Sequence, residues 1–102
     1  MILDETTLTR EMGCTAQDFA RWLPGATRFA KIESLVEEGR IRHRVAIGDG
    51  TVDILLQEQP PRRIAGVALP VLLVRFRFID LSAAQRRDFL ERFDQYTHRG
   101  GG

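Results

Sequence analysis

The feature that most constrains this chain is an apolar run from Ile64 to Ile79, rich in β-branched and aromatic residues. In an extended chain, successive side chains point to opposite faces. One face of the run is entirely apolar and carries Leu72, Val74, Phe76 and Phe78. The other face is mixed and carries Val71, Leu73, Arg75, Arg77 and Ile79. The first half of the run is apolar on both faces, as in a strand covered on both sides, and the second half alternates, so the run predicts the central strand of a sheet.

Length and composition predict a single globular domain spanning residues 1–102. The chain is 43% hydrophobic and 28% charged, which is an ordinary balance for a packed domain. We expect residues 1–7 to form a loose leader and residues 100–102 a frayed glycine tail. The formal net charge is only +1, so no global field favours nucleic acid or an anionic membrane.

Cysteine usage and the lack of targeting signals indicate the cellular compartment in which we expect this protein. Cys14 is the only cysteine, so no intramolecular disulfide forms. No signal-peptide pattern opens the sequence, and the longest apolar run is shorter than the about 20 residues that span a bilayer. Lys31 is the only lysine among 15 basic residues, a bias that accompanies GC-rich codon usage. We expect a cytoplasmic bacterial protein without a membrane partner.

The first part of the chain predicts a short edge strand and then a helix. Leu8–Met12 alternates weakly and contains β-favouring residues. Thr15 has the position of a helix N-cap, with Asp18 in the positively polarised first turn. Apolar residues at helical spacing follow, and Pro24-Gly25 predicts the end of this helix.

The segment from Thr27 to Glu38 fits two structures. Its apolar residues match a helical stripe, but Glu37 and Glu38 would then lie at the negative C-terminal end of the helix. A tight hairpin turn with Gly39 at positive φ accommodates the same glutamates. We therefore assign this segment to a strand.

The second half of the chain predicts a hairpin, a long strand and a helix. Residues 41–56 alternate on both sides of Asp49-Gly50, a strong signal for a two-residue turn. Residues 57–61, ending in two prolines, are expected to form a connection. The strand 62–79 should bend or bulge at Pro70. Ser82 and Gln85 form a capping-box pattern that starts a helix ending near residue 98.

These elements predict an α+β fold in the order β-α-β-β-β-β-α. Four to five strands form an antiparallel sheet, and both helices pack on one face. The opposite face then remains open, with Val71, Leu73 and Ile79 lacking an intramolecular partner. We therefore expect a homodimer in which two such faces pack together around a two-fold axis and cover these apolar side chains.

Six arginines on predicted strands are the candidate binding residues. They are Arg42, Arg44, Arg62, Arg63, Arg75 and Arg77. If their strands are neighbours, they form one basic face suited to RNA, an acidic protein partner or a phosphorylated ligand. Cross-strand pairing with Glu33, Asp53 and Glu58 is the alternative.

The stretch Arg75–Phe78 alternates basic and aromatic residues. Exposed aromatic residues on a sheet stack nucleic-acid bases while arginines hold phosphates. The stretch lacks the glycines of the RNP1 pattern, and its phenylalanines continue the apolar face of the strand. The interpretation we prefer places the phenylalanines in the core and the arginines in solvent.

Catalytic and metal-binding patterns are weak. Cys14 precedes a helix N-terminus, where the dipole favours a thiolate, so it is a candidate reactive thiol. No CxxC motif accompanies it, and we expect an ordinary half-buried thiol with a pKa of about 8.5. His43 shares a predicted face with Ile41 and Val45, which favours a core-edge histidine over a metal ligand. We expect no metal and no cofactor.

The leading hypothesis for function is a small non-catalytic binding or interaction module. One alternative is a module that binds single-stranded RNA or DNA through an arginine-rich sheet face. Another is a redox sensor or enzyme that uses Cys14. No Walker loop, dinucleotide fingerprint or nucleophile elbow occurs, so the sequence does not favour an enzyme.

Overall fold

The fold of residues 6–98, described by a computed structural model, is α+β in the predicted order β-α-β-β-β-β-α. The strands are β1 Thr7–Met12, β2 Ile32–Glu37, β3 Arg40–Ile47, β4 Gly50–Ile64 and β5 Val67–Ile79. The helices are α1 Ala16–Ala26 and α2 Ala83–His98. The strands form one antiparallel sheet in the order β1-β5-β4-β3-β2.

The expected chain ends fall largely outside this description. Residues 1–5 of the predicted leader and the predicted glycine tail 100–102 lie outside the described residues. Thr7 was assigned to the leader but begins β1, because it pairs with Arg77 of β5. No helix within residues 6–98 is long and apolar enough to span a bilayer.

The core lies between one face of the sheet and the two helices. The predicted apolar face of β5 is buried, and Phe76 is 0% exposed. Its ring lies 5.2 Å from the ring of Phe93 and 6.2 Å from that of Phe89, both on α2. Phe78 stacks beside Phe76 at 6.2 Å. The assignment of both strand phenylalanines to the core is confirmed.

Helix α1 begins at the predicted cap. The Asp18 N–H donates to Thr15 Oγ1 at 3.0 Å, and the Thr15 N–H donates to Asp18 Oδ2 at 3.3 Å. The predicted stop at Pro24-Gly25 is wrong, because both residues belong to the last turn of the helix. A Cβ at Gly25 would overlap the ring of Tyr96. Gly25 therefore permits close contact between the helices and does not end α1.

The assignment of residues 27–38 to a strand is confirmed for β2, Ile32–Glu37, whereas residues 27–31 form the loop before it. A two-residue turn follows β2, with φ of 49° at Glu38 and 79° at Gly39. Positive φ at both positions is the type I′ geometry that matches the twist of a hairpin. Glu37 therefore ends β2 and Glu38 lies in the turn. Neither glutamate lies at the negative end of a helix.

The turn between β3 and β4 lies one residue earlier than the sequence predicts. Ile47 pairs with Gly50, so the turn residues are Gly48 and Asp49. Gly48 has φ of +56°, whereas Gly50 is a strand residue with φ outside the left-handed region. Backbone oxygen atoms at the end of β5 crowd the Cα of Gly50. Position 50 therefore requires glycine because a Cβ would not fit there, and not because of its backbone φ angle.

The expected connection at residues 57–61 and the expected strand 62–79 are also wrong. Strand β4 continues to Ile64, and β5 begins only at Val67. Ala65 and Gly66, with φ of 50° and 81°, form a second type I′ turn between them. The apolar run that dominates the sequence is therefore the end of one strand, a turn and the next strand.

The predicted bulge lies on β4, opposite Pro70. Gln59 pairs with Val71 and Arg62 pairs with Leu69, so two residues of β4 oppose one of β5. The two are Pro60 and Pro61, which lack the N–H groups that a regular ladder uses. Pro70 does not divert β5, which keeps β4 as its neighbour on both sides of the bulge.

The β4–β5 hairpin projects beyond the rest of the sheet. Strand β1 ends where Met12 pairs with Leu72, and the pairing of β3 with β4 reaches only Ile41 and Leu56. Every residue from 60 to 70 is exposed. We call residues 60–70 the arm. The arm contributes no buried side chain to the core.

Candidate interaction surface

The open face is the face of the sheet opposite the helices. It carries four of the six candidate arginines, namely Arg42, Arg44, Arg75 and Arg77. Leu55 of β4 lies between Arg42 and Arg75, and Asp53 lies between Arg44 and Arg77. These four arginines therefore occupy two adjacent rows, on β3 and β5, and β4 lies between these two strands.

Two of these arginines are paired within the chain. Asp53 is only 4% exposed, and its Oδ2 accepts a hydrogen bond from Arg42 Nη1 at 2.5 Å. Arg44 Nε lies 3.6 Å from Asp53 Oδ1, but no hydrogen bond reaches that oxygen within the described residues. The alternative of cross-strand pairing therefore holds for Arg42 and Arg44. Glu58 does not join them, because its carboxylate accepts the N–H of Ala16 at 3.1 Å.

The other two arginines of the open face point into solvent. Arg75 and Arg77 are exposed, and neither forms an ion pair with any residue in the described range 6–98. Half-buried Leu55 and Leu73 lie beside Arg75, and Leu35 of β2 is 51% exposed. Around Arg75, the open face therefore combines positive charge with apolar side chains.

Across the open face, one row of side chains alternates in charge. Arg77 pairs with Asp53, Asp53 with Arg44, and Arg44 with Glu33, on β5, β4, β3 and β2 respectively. We call these four residues the charge row. Opposite charges on adjacent strands stabilise a sheet modestly. Beside the row, at the end of the sheet away from the arm, lies a shallow recess of about 310 Å³.

The remaining two candidate arginines lie on the arm. Arg62 pairs with Leu69, and its Nη2 lies 3.2 Å from Glu11 Oε1. Arg63 pairs with Ala68, so its side chain points to the opposite side of the arm. The structure therefore separates these two from the other four. Sequence reasoning missed this because it did not recognise Ala65-Gly66 as a turn.

The arm also exposes large apolar side chains. Ile64, Val67 and Leu69 are three of the six large hydrophobic residues that are exposed in the described chain. All three lie on the side of the arm that carries Arg62, since Ile64 pairs with Val67. A recess of about 210 Å³ separates this side from the end of β1. The arm thus combines an apolar surface with two arginines.

Phe29 is an exposed aromatic residue that sequence reasoning placed in a strand. It lies in the loop between α1 and β2, is 79% exposed and has φ of 61°. Its neighbour Arg28 has φ of 57° and forms an ion pair with Asp88 of α2 at 3.2 Å. Positive φ is uncommon for a bulky residue, so the loop is held by its surroundings.

Cys14 does not have the environment of an activated thiol. Its side chain is 3% exposed, and burial raises its pKa to about 11, with a further contribution from the negative charge of Asp18. The expected pKa of about 8.5 is therefore too low. A helix N-terminus is nearby, but desolvation disfavours the thiolate more strongly.

We expect alkylation of Cys14 by iodoacetamide in the folded protein to remain slow at pH 8. Its rate should keep rising above pH 9, because the thiolate forms only as the pH approaches about 11. The measurement is a pH–rate profile by mass spectrometry, with the urea-unfolded protein as the control for an ordinary thiol. Fast modification of the folded chain at pH 6 would show that the thiol is activated after all.

His43 is a buried histidine of the core. Ser34 Oγ lies 2.6 Å from its Nδ1, and its ring stacks on Phe19 at 6.0 Å. Burial lowers the pKa of His43, so the ring is neutral at neutral pH. Within residues 6–98, no three His, Cys, Asp or Glu side chains are grouped as metal ligands.

Comparisons with known proteins assign no family to the chain. No protein-family model matches it, and the search of curated proteins found no match. It is similar to the crystal structure of DR_A0006 from Deinococcus radiodurans, with 20% sequence identity and a TM-score of 0.31. The similarity covers 92% of this chain and 96% of that chain. A similarity of this size assigns no function.

Proposed function

We propose that this protein is a non-catalytic interaction module that binds an acidic, apolar segment of another protein through its arm. The observation that carries the proposal is the complete exposure of residues 60–70. The arm adds nothing to the core, yet it carries three of the six exposed large hydrophobic residues in the described chain. Grouped apolar side chains in solvent are typical of a contact surface.

The composition of the arm indicates the chemistry of its partner. Arg62 and Arg63 are its only charged residues, so its charge is positive. Ile64, Val67 and Leu69 provide apolar contacts beside Arg62, whereas Arg63 lies on the opposite side of the arm. A segment that combines carboxylates with apolar side chains is complementary to both features.

The prolines of the arm indicate how the partner is recognised. Pro60, Pro61 and Pro70 lack backbone N–H groups, so the edges of the arm are poor templates for an added strand. Recognition therefore depends on side chains on the faces of the arm. The same prolines protect the projecting hairpin from edge-to-edge aggregation.

The two alternative functions have less support. Phe76 and Phe78 are buried, and none of the open-face residues of the five strands is aromatic, so a base-stacking platform is missing there. The raised pKa of Cys14 opposes thiol-based chemistry. The single cysteine and the arginine-rich composition support a place in the bacterial cytoplasm.

An armless variant tests the proposal. Gln59 and Val71 already pair across the hairpin, so Asn-Gly can replace residues 60–70 and close a type I′ turn. We expect the thermal midpoint to change by only about 4 °C or less, equivalent to about 1 kcal/mol or less in a domain of this size. A synthetic peptide of alternating Glu and Leu should bind the wild type and not the armless variant, as measured by NMR titration.

Two charge variants sharpen this test. Arg62→Glu with Arg63→Glu should weaken binding of the Glu-Leu peptide at least about tenfold by reversing the charge of the arm. Arg87→Glu, on the exposed surface of α2, is the matched control and should bind like the wild type. Equal peptide binding by the armless variant would contradict the proposal. Salt-sensitive binding of oligo(dT) in place of the peptide would favour the nucleic-acid alternative.

A further inference from the structure

The charge row is complementary to itself. From β5 to β2 its members are Arg77, Asp53, Arg44 and Glu33, with signs that alternate from positive to negative. A two-fold axis parallel to the strands, between β4 and β3, reverses the order of the row in a second copy. Each positive member then faces a negative member of the other row.

We propose that the open face is the interface of a homodimer built around this axis. Arg77 faces Glu33 of the partner subunit, and Asp53 faces Arg44 of the partner subunit. The two-fold axis repeats both contacts. Two sheets that pack face to face keep their strands within about 30° of each other, so the rows remain close to alignment.

Asp53 places a negative charge near the centre of this face. Its carboxylate is buried, but Oδ1 accepts no hydrogen bond within the described residues. A buried polar atom without a partner is uncommon and costly. The side chain of Arg44 is 54% exposed and lies at the surface of the open face. Arg44 Nε of the same chain lies 3.6 Å from Oδ1, and in the dimer the negative charge of this carboxylate attracts Arg44 of the partner subunit.

The row next to the charge row supplies apolar contact. It carries Arg75, Leu55, Arg42 and Leu35 from β5 to β2. The same axis places the aliphatic stem of Arg75 on Leu35 of the partner subunit, covering a side chain that is 51% exposed in the monomer. The dimer therefore covers Leu35, which the fold of one chain leaves in solvent.

The axis also determines where the arms lie. Rotation about an axis parallel to the strands does not reverse the strand direction, so both arms project from the same end of the dimer. Two equal binding elements on one side allow a partner with two binding segments to be held more tightly than by one arm. The contacts proposed for the interface join residues of the sheet and no residue of the arm, so this inference does not depend on the function proposed for the arm.

Reciprocal charge variants test the dimer. In sedimentation at micromolar concentration, the wild type should be a dimer. Arg77→Glu and Glu33→Arg each place like charges opposite each other twice, so each variant alone should dimerise at least tenfold more weakly. An equimolar mixture should restore the dimer, since every contact between the two variants then joins opposite charges. Isotope labelling of one variant identifies the heterodimer by native mass spectrometry.

Further variants keep the test decisive if the charge variants fold poorly. Leu35 is exposed, so Leu35→Lys should fold normally, yet it should weaken the dimer at least tenfold by opposing Arg75 of the partner subunit. Arg87→Glu on α2 and the armless variant should both remain dimeric. A monomeric wild type, a fully dimeric Leu35→Lys variant, or a mixture of the charge variants that stays monomeric would each overturn the proposal.

Discussion

Replacing Phe76 by alanine should lower the free energy of unfolding by about 3–5 kcal/mol. The side chain is 0% exposed and is enclosed by three other phenylalanine rings, those of Phe78, Phe89 and Phe93. The guanidinium group of Arg10 lies 5.5 Å from the ring centroid. The alanine variant loses the transfer free energy of the ring and leaves a cavity that rigid neighbours close only in part.

The matched control is the same substitution at an exposed site. Phe29 is 79% exposed, so Phe29→Ala should change the free energy of unfolding by less than about 0.5 kcal/mol. Urea titration followed by circular dichroism measures both variants under one set of conditions. If Phe76→Ala unfolded at the wild-type urea concentration, Phe76 would not be the centre of the core.

Replacing Gly50 by valine should lower the free energy of unfolding by about 3 kcal/mol, the upper part of the range for overpacking. A Cβ at this position meets the backbone oxygen atoms of Ile79 and Asp80 and the side chain of Leu81. Backbone atoms at the end of a paired strand cannot move away as a flexible side chain can. Valine adds two methyl groups to the same crowded space.

Gly13→Val is the control for Gly50→Val. Gly13 has no heavy atom within 4 Å of its ideal Cβ position and no positive φ. This control should therefore change the free energy of unfolding by less than about 0.5 kcal/mol. Thermal melts of both variants measure the difference. Equal midpoints for the two would mean that the backbone near Gly50 is not crowded.

The β4–β5 hairpin carries both proposed contact surfaces. One is the arm, and the other is its part of the open face. Strand β5 begins in the arm and continues into the sheet, where it carries Arg75 and Arg77. The apolar half of the strand serves the proposed partner of the arm, and the basic half serves the proposed second copy. The run from Ile64 to Ile79 changes in character along its length in the same way.

Local physical chemistry was sufficient to predict most of the elements. Alternation placed Phe76 and Phe78 in the core, because a side-chain period of two distinguishes the faces of a strand. The caps at Thr15 and Ser82 were predictable, since each binds backbone groups only three residues away. The turn at Glu38-Gly39 was identified by the same kind of local signal.

Strand pairing was not predictable from local signals. Ala65-Gly66 is a turn within an apolar run and lacks the polar residues that usually mark one, so the arm was not recognised. Gly50 has the sequence of a turn residue, but the pairing of Ile47 with Gly50 places the turn before it. In both cases the register along the whole length of the paired strands decides where the turn lies.

The faces of the strands were readable from the sequence, whereas the rows across the sheet depended on the tertiary structure. Alternation showed that Arg75 and Arg77 share a face, as do Arg42 and Arg44. Only pairing with β4 joined these two pairs around Asp53 and separated the arginines of the arm from them. The physical reason is that alternation is a property of one strand, whereas a row requires the register of several strands, set by contacts far apart in sequence.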